Sequence, residues 1–161
     1  RFTVTLNDYI NTKLKKTFLN DIKINKEIVD RSNYFYNKKL KTSKDHYILG
    51  IHLRGTDQKI TPGHYLPPTI FDIKLLIEKK IKEKKLLKIF LVTEEKKYLE
   101  NLKKDYKKYI FYLPSFRANK ISDFNTEKRK YHRNKLGLES LSEALVLSLC
   151  DEVIYCKSNK S

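Results

Sequence analysis

Residues 46–57, HYILGIHLRGTD, decide how the chain is read. His46 to Leu53 form an apolar run without polar alternation, which gives way at once to Arg54, Gly55 and Asp57. Such a run reads as a strand covered on both faces. Charge avoids strand interiors, so Arg54 and Asp57 stand at the strand's carboxyl end. His52 and Arg54 alternate onto one face and can address one ligand. An arginine presents a planar fork of donors that matches phosphate oxygens and keeps its charge at any working pH. Gly55 permits close backbone approach. Asp57 can take a proton, cap the following turn or orient Arg54. The plain alternative is an arginine in a surface ion pair at a strand exit.

Outward from that strand the chain alternates. Residues 1–24 form an irregular or inter-domain lead-in. INKEIVDRSNYFYNKKL (24–40) reads as a helix with Ile24, Ile28, Tyr34, Phe35 and Leu40 apolar. After the strand, RGTDQKITPGHYLPP (54–68) holds two of the four glycines and three of the four prolines, and is a loop. Thr69 to Lys85 place Ile70, Ile73, Ile77 and Ile81 on one helical face. KIFLVT (88–93) is a second strand, Glu94 to Lys107 a helix with an acidic first turn, and YIFYL (109–113) a third strand. Residues 114–137 are expected as a long polar loop, followed by a helix, LESLSEALVLSLC (138–150), and a last strand, EVIYC (152–156). Apolar strands separated by helices predict an α/β fold, a Rossmann-like parallel sheet with helices on both faces. Ligands of such sheets bind beyond the carboxyl ends of the strands. Arg54, Thr93, the 114–137 loop and Ser158 fall on that rim.

The 161 residues suit a single domain. The 35 basic against 19 acidic side chains, a net charge of +16, point to an anionic partner: nucleic acid, an anionic membrane surface approached peripherally, or an acidic substrate. Much of that charge is lysine spread along helices, which codon bias from an AT-rich genome also produces. Two cysteines, Cys150 and Cys156, make no disulfide framework, and no Cys/His cluster has metal spacing. The longest apolar runs, Ile89–Val92 and Ala144–Leu149, are too short to span a bilayer. The chain starts at Arg1 and contains no Met, so we expect an excerpt of a longer protein. A cytoplasmic placement is expected, or the Golgi or endoplasmic-reticulum lumen in a eukaryote.

Further polar positions invite a functional reading beside a structural one. Glu143 is a lone acid among Ala144, Leu145, Val146 and Leu147, either on an exposed helix face or facing a ligand. Ser158, Asn159 and Ser161 end the last strand, where hydroxyls and backbone N–H groups suit phosphate. Thr93 and Glu94 read as a helix N-cap and first turn. EKRKYHRNK (127–135) mixes aromatic and cationic groups, as a nucleic-acid patch or a loop over an anionic ligand would.

Taken together, GIHLRGTD, FLVTEEKKYLENL and ESLSEALVLSLCDEVIYCKSNKS resemble, in order and spacing, the nucleotide-binding half of the fucosyltransferase superfamily. His52, Arg54 and Asp57 match its His-x-Arg-(Arg/Gly)-x-Asp motif, and Thr93-Glu94-Glu95 its acidic turn. Glu143, Ser148, Cys150 and Ser158 to Ser161 match its last motif. The resemblance spans residues 25–161. It implies the donor-binding half of a GT-B glycosyltransferase that transfers fucose from GDP-fucose, with inversion and without metal or other cofactor, to a glycan or protein acceptor. Carried over, Arg54 holds the diphosphate, Glu143 pairs with the guanine edge, His52 lies near the nucleoside, and Gly55, Thr93, Ser158, Asn159 and Ser161 line the donor. Gly55 stands where several members have a second arginine. No Glu follows Asp57 within the loop, which leaves Asp57 and His64 as candidate general bases. A glycosyltransferase using another nucleotide sugar and a basic nucleic-acid-binding α/β domain are the alternatives. Scarce arginine and the absence of a recognised nucleic-acid motif speak against the latter.

Overall fold

The computed structural model describes residues 23–54, 68–120, 122–126 and 129–155. Helix α1 (Lys26–Phe35) runs into a single π-helical turn (Tyr36–Leu40), followed by β1 (Tyr47–Leu53), α2 (Ile70–Glu83), β2 (Leu87–Thr93) and α3 (Lys96–Tyr106). Then come β3 (Ile110–Phe111), the short α4 (Asp123–Thr126), α5 (His132–Ser148) and β4 (Glu152–Tyr155). The four strands form one parallel sheet in the order β3-β2-β1-β4. The chain is α/β, with a Rossmann-like arrangement of strands and helices.

Alternation along the strands sorts the core into two layers. Leu49, Ile51 and Leu53 of β1 and Ile89 and Leu91 of β2 meet Ile73 and Ile77 of α2 and Tyr98 and Leu102 of α3. Ile48, Phe90 and Val92 point the other way, onto Leu40 and onto Val146 of α5. Phe35 lays its ring 5.6 Å from that of Phe90. Burying each such Leu, Ile or Phe contributes about 1.5–3 kcal/mol. The connections from β1 to β3 step one way with their helices on one face. The connection from β3 to β4 steps back over the sheet with α5 on the other face. One crossover handedness requires that pairing of direction with face.

At the amino ends of the strands the fastenings are polar. Asp151 accepts from the Ile48 N–H at 2.7 Å and returns its own N–H to the Ile48 carbonyl at 2.9 Å. Glu152 is clasped by Lys80 at 2.7 and 2.9 Å and by the Tyr47 hydroxyl at 2.8 Å. Burial and the Glu152 bond push the Tyr47 phenol up to about 12.

Several sequence expectations need correction. The last helix starts at His132, not 138, and the expected 114–137 loop contains α4. Gly137 obscured that start, although a Cβ there would meet nothing within 4 Å, and His132 is anchored through its ring. Helix α3 starts at Lys96 with no acid in its first turn; Glu95 is the N-cap and makes no side-chain cap bond. Thr93 is the last residue of β2 rather than a cap, and its hydroxyl accepts from the Glu95 N–H at 3.2 Å. Tyr34 is 65% exposed rather than on the buried face of α1, because six residues from Ile28 it stands about a third of a turn away from the buried Ile28–Ser32 stripe. Strand β3 is shortened to two residues. Nearly all of the 1–24 lead-in lies outside the described residues, as do residues 55–67. No helix among the described residues is long and apolar enough to cross a membrane.

Gly50 sets how close α5 lies to the sheet. A Cβ on it would come within 2.8 Å of Leu147 Cδ2, 3.2 Å of Cys150 Sγ and 3.3 Å of Val153 Cγ2. The same substitution at two glycines should therefore have opposite effects. Gly50→Ala overpacks the α5 contact and should lower stability by about 1–3 kcal/mol. Adding Leu147→Ala should return part of that loss, so that the double variant costs less than the sum. Gly137→Ala, in open space inside a helix, should raise stability by about 0.5–1 kcal/mol. Urea unfolding of the four variants measures all of these; a neutral Gly50→Ala would show that α5 does not rest on the bare backbone.

Candidate functional site

The candidate site is the carboxyl rim of the sheet on the α5 side. His52 and Val92 are register partners, as are Leu53 and Thr93, so β1 and β2 end level. Arg54 follows directly, exposed, with its Nε 3.9 Å from Glu94 Oε1 at the end of β2. That separation is an ion pair beyond hydrogen-bond length, partly solvated and therefore weak. The surface-pair alternative for Arg54 thus has a partner. His52 is half-buried, and burial, then the Arg54 charge, lowers its imidazole below the ordinary value. It is therefore neutral at neutral pH, able to donate from one nitrogen and accept at the other.

Glu143 stands on the same side. Helix α5 feeds through a tight turn into β4 and so runs against the strands. Leu147 packs over Gly50. One turn back, about 6 Å along the helix axis, is Glu143; two residues past Gly50, about 6.6 Å along the strand, is His52. The carboxylate-bearing turn is thus level with the end of β1. Glu143 is buried, which overturns the exposed-face alternative. Its Oε1 accepts from Arg117 Nη2 at 3.0 Å. Burial pushes its carboxyl above the ordinary value, while Arg117 and Ser115 pull it back. Between the ordinary and the raised value the folded chain binds the extra proton, so this group's contribution to stability falls as pH rises through that window.

Arg117 arrives because the chain after β3 continues alongside the extension of β2, in the same direction. The Ala118 N–H donates to the Glu94 carbonyl at 2.8 Å, and the Lys96 N–H to the Ala118 carbonyl at 3.0 Å. One turn earlier on α5 a second pair repeats the pattern. Arg129 donates to both oxygens of Glu139, at 2.6 and 3.2 Å, and the Phe116 N–H adds a bond of 3.1 Å. His132 Nε2 lies 3.1 Å from the Phe124 carbonyl, while its Nδ1 accepts from Arg129 Nε at 3.3 Å. The carbonyl can only accept, so this ring carries its proton on Nε2. Phe116 stacks edge-on against it at 4.9 Å.

Of the residues expected at the site, His52, Arg54 and Glu143 share the rim on one side of the sheet. Thr93 is 3% exposed and points to the opposite layer, its hydroxyl committed to Glu95. Gly55, Asp57, His64, Ser158, Asn159 and Ser161 lie outside the described residues. Cys150 is half-buried, with burial lifting its thiol to about 12, an inert packing residue. Among the described residues no group of three or more His, Cys, Asp or Glu side chains could hold a metal ion. The sequence expectations named none of Ser115, Arg117, Arg129 and Glu139 singly as a site residue, although the first three lie in the 114–137 loop placed on the rim. Their signal was the four-residue spacing of Glu139 and Glu143, with three of the six arginines, Arg117, Arg129 and Arg133, in the stretch just before them. No family model matches the chain, and no curated protein or solved structure is significantly similar to it.

The Arg129–Glu139 pair gives a pH test. Burial alone would raise the Glu139 carboxyl, but Arg129, the Phe116 N–H and the Arg31 charge outweigh it and hold it below the ordinary value. Its stabilisation is present above the unfolded carboxylate value, near pH 4.5, and is lost as pH falls through the lower folded one. Glu139→Gln should cost about 1–3 kcal/mol at neutral pH. Its melting temperature should also decline less steeply in acid than the parent's. Parallel acid limbs in thermal melts would show that the carboxylate is not held by charge.

Proposed function

We propose that the chain is the donor-binding half of a GT-B glycosyltransferase of the fucosyltransferase type, which binds GDP-fucose and supports inverting transfer to a glycan or protein acceptor. The observation that carries this reading is the strand order. The sequence β3-β2-β1-β4 reverses direction between β1 and β4, and open parallel sheets bind ligands outside the carboxyl ends at such a reversal. His52 and Arg54 end one strand flanking that crevice, and the helix bearing Glu143 leads into the other.

Each residue then has a physical task. Arg54 exchanges its loose Glu94 contact for the diphosphate and meets the negative charge that grows on the leaving group as the sugar–oxygen bond breaks. A fixed cation can do there what a metal would. Glu143 supplies carboxylate acceptors for the adjacent N–H donors of guanine. His52, neutral, hydrogen-bonds the nucleoside. Gly55, Ser158, Asn159 and Ser161 are assigned to the phosphates on the resemblance alone. The acceptor hydroxyl attacks the anomeric carbon opposite the departing diphosphate and yields its proton to a base, for which Asp57 and His64 are the candidates in this chain. A donor with another base would share the crevice and the arginine clamp and differ at Glu143.

Calorimetry with GDP, UDP and ADP tests the assignment on the chain itself. GDP should bind most tightly, and Arg54→Lys should weaken it at least about tenfold without changing the melting temperature, because the fork is lost while the charge remains. In the intact enzyme the same change should reduce turnover by about 100-fold or more. Equal affinity for the three nucleotides would remove the guanine assignment. No nucleotide binding, with salt-steep binding to single-stranded nucleic acid, would replace the reading by the basic-domain alternative.

A further inference from the structure

Arg117 and Glu143 meet where an ion pair is expensive. Their side chains are only 6% and 11% exposed. Taking two charges out of water costs several kcal/mol per ion, so such a pair is weak evidence of a stabilising role. Its geometry is also not the one that stability alone favours. A guanidinium paired for strength closes two parallel donors on both carboxylate oxygens. Here Nη2 alone reaches Oε1, while Nη1 is taken by the Ser115 carbonyl at 2.8 Å and Nη2 also approaches the Leu113 carbonyl at 3.4 Å. The buried Nε–H has no acceptor among the described residues. The guanidinium is thus tied to the backbone of 113–115 and holds the carboxylate with one arm. Glu143 Oε2 has no part in that bond.

We propose that Arg117 is a positioning residue: it keeps the Glu143 carboxylate charged and in one orientation at the β1–β4 crevice, and the pair thereby selects the base of the bound nucleotide. This rests on the nucleotide-sugar reading above. A carboxylate accepts from two adjacent N–H donors only while it is ionised; once protonated it presents a donor of its own to the same edge. Burial works against ionisation, and so does Glu139 one turn away on α5. Glu139 is itself met by Arg129, with Arg31 of α1 nearby. From the sheet side the titratable group at this level is His52, with Arg54 beside it. Arg117 is the cation bonded to Glu143 and, with Ser115, opposes its protonation. Without it, a buried glutamate moves toward neutral pH.

The test is the ratio of GDP to UDP affinity, measured by calorimetry from about pH 6 to about pH 8 for the parent chain, Arg117→Gln and Arg117→Lys. The parent ratio sets the reference profile and contains any effect of His52, which the variants share. In Arg117→Gln the ratio should fall at least about tenfold relative to the parent near pH 6 and recover toward pH 8, as the unsupported carboxyl ionises. In Arg117→Lys, which keeps the charge, the ratio should be lower than the parent's but follow the parent's pH profile. That variant carries the test alone if Arg117→Gln does not fold. A merely structural role would lower the melting temperature and leave the ratio untouched at every pH. Parent-like ratios in the folded variants would overturn the inference while leaving nucleotide binding intact. A parent chain with no preference for GDP would overturn the nucleotide reading, and this inference with it.

Discussion

At Gly50 the sheet meets α5 with no side chain between them. Because Gly50 leaves β1 bare, α5 sits directly on the sheet through Leu147, with Cys150 and Val153 closing the contact. Everything on the α5 side inherits that spacing. It fixes the height of Glu143 relative to His52, the entry of the chain into β4, and the depth at which Arg117 and Arg129 must reach their carboxylates. A methyl at Gly50 would come within 2.8 Å of the Leu147 side chain, so that contact would have to shift.

The two ends of the sheet divide the labour. At the amino ends, Asp151 and the Tyr47–Glu152–Lys80 cluster satisfy backbone and side chains with short, geometrically complete bonds. At the carboxyl ends the Arg54–Glu94 contact is longer, at 3.9 Å, and the buried Arg117 Nε–H has no acceptor among the described residues. Polar groups whose bonding is complete serve the fold. A buried donor left without an acceptor is where a ligand gains most by binding, since it supplies a bond that the protein lacks.

Much of this was legible in the sequence. Continuous apolar runs at 47–53 and 88–93, separated by helices of clear periodicity, announce a parallel sheet, and Ile73 and Ile77 face the core as their spacing requires. The strand-end position of Arg54 followed from the exclusion of charge from strand interiors. What could not be read is tertiary. Nothing local says that the chain after β3 runs on beside the extension of β2 as far as Ala118, so Arg117 looked like any loop residue and Glu143 had no visible partner. Gly137 interrupted the helical pattern although the helix continues through it, because His132 and Arg129 secure the turns before it. The π turn at 36–40, at whose end Leu40 is buried, could not be read from any periodicity.

The strand order also governs the sequence of assembly. β1 meets β2 through partners such as Leu49 and Ile89, a separation that one helical crossover spans, whereas β1 meets β4 through Leu49 and Glu152, which are far apart along the chain. Loops of that length close slowly, and the entropy of closing them must be spent before the contacts form. The β1–β3 layer can therefore gather first, with α5 and β4 docking last onto the bare strip at Gly50. The crevice that would hold a nucleotide exists only after that final docking. A nucleotide that binds there stabilises the docked state by mass action, and so acts on the step of folding that completes its own site.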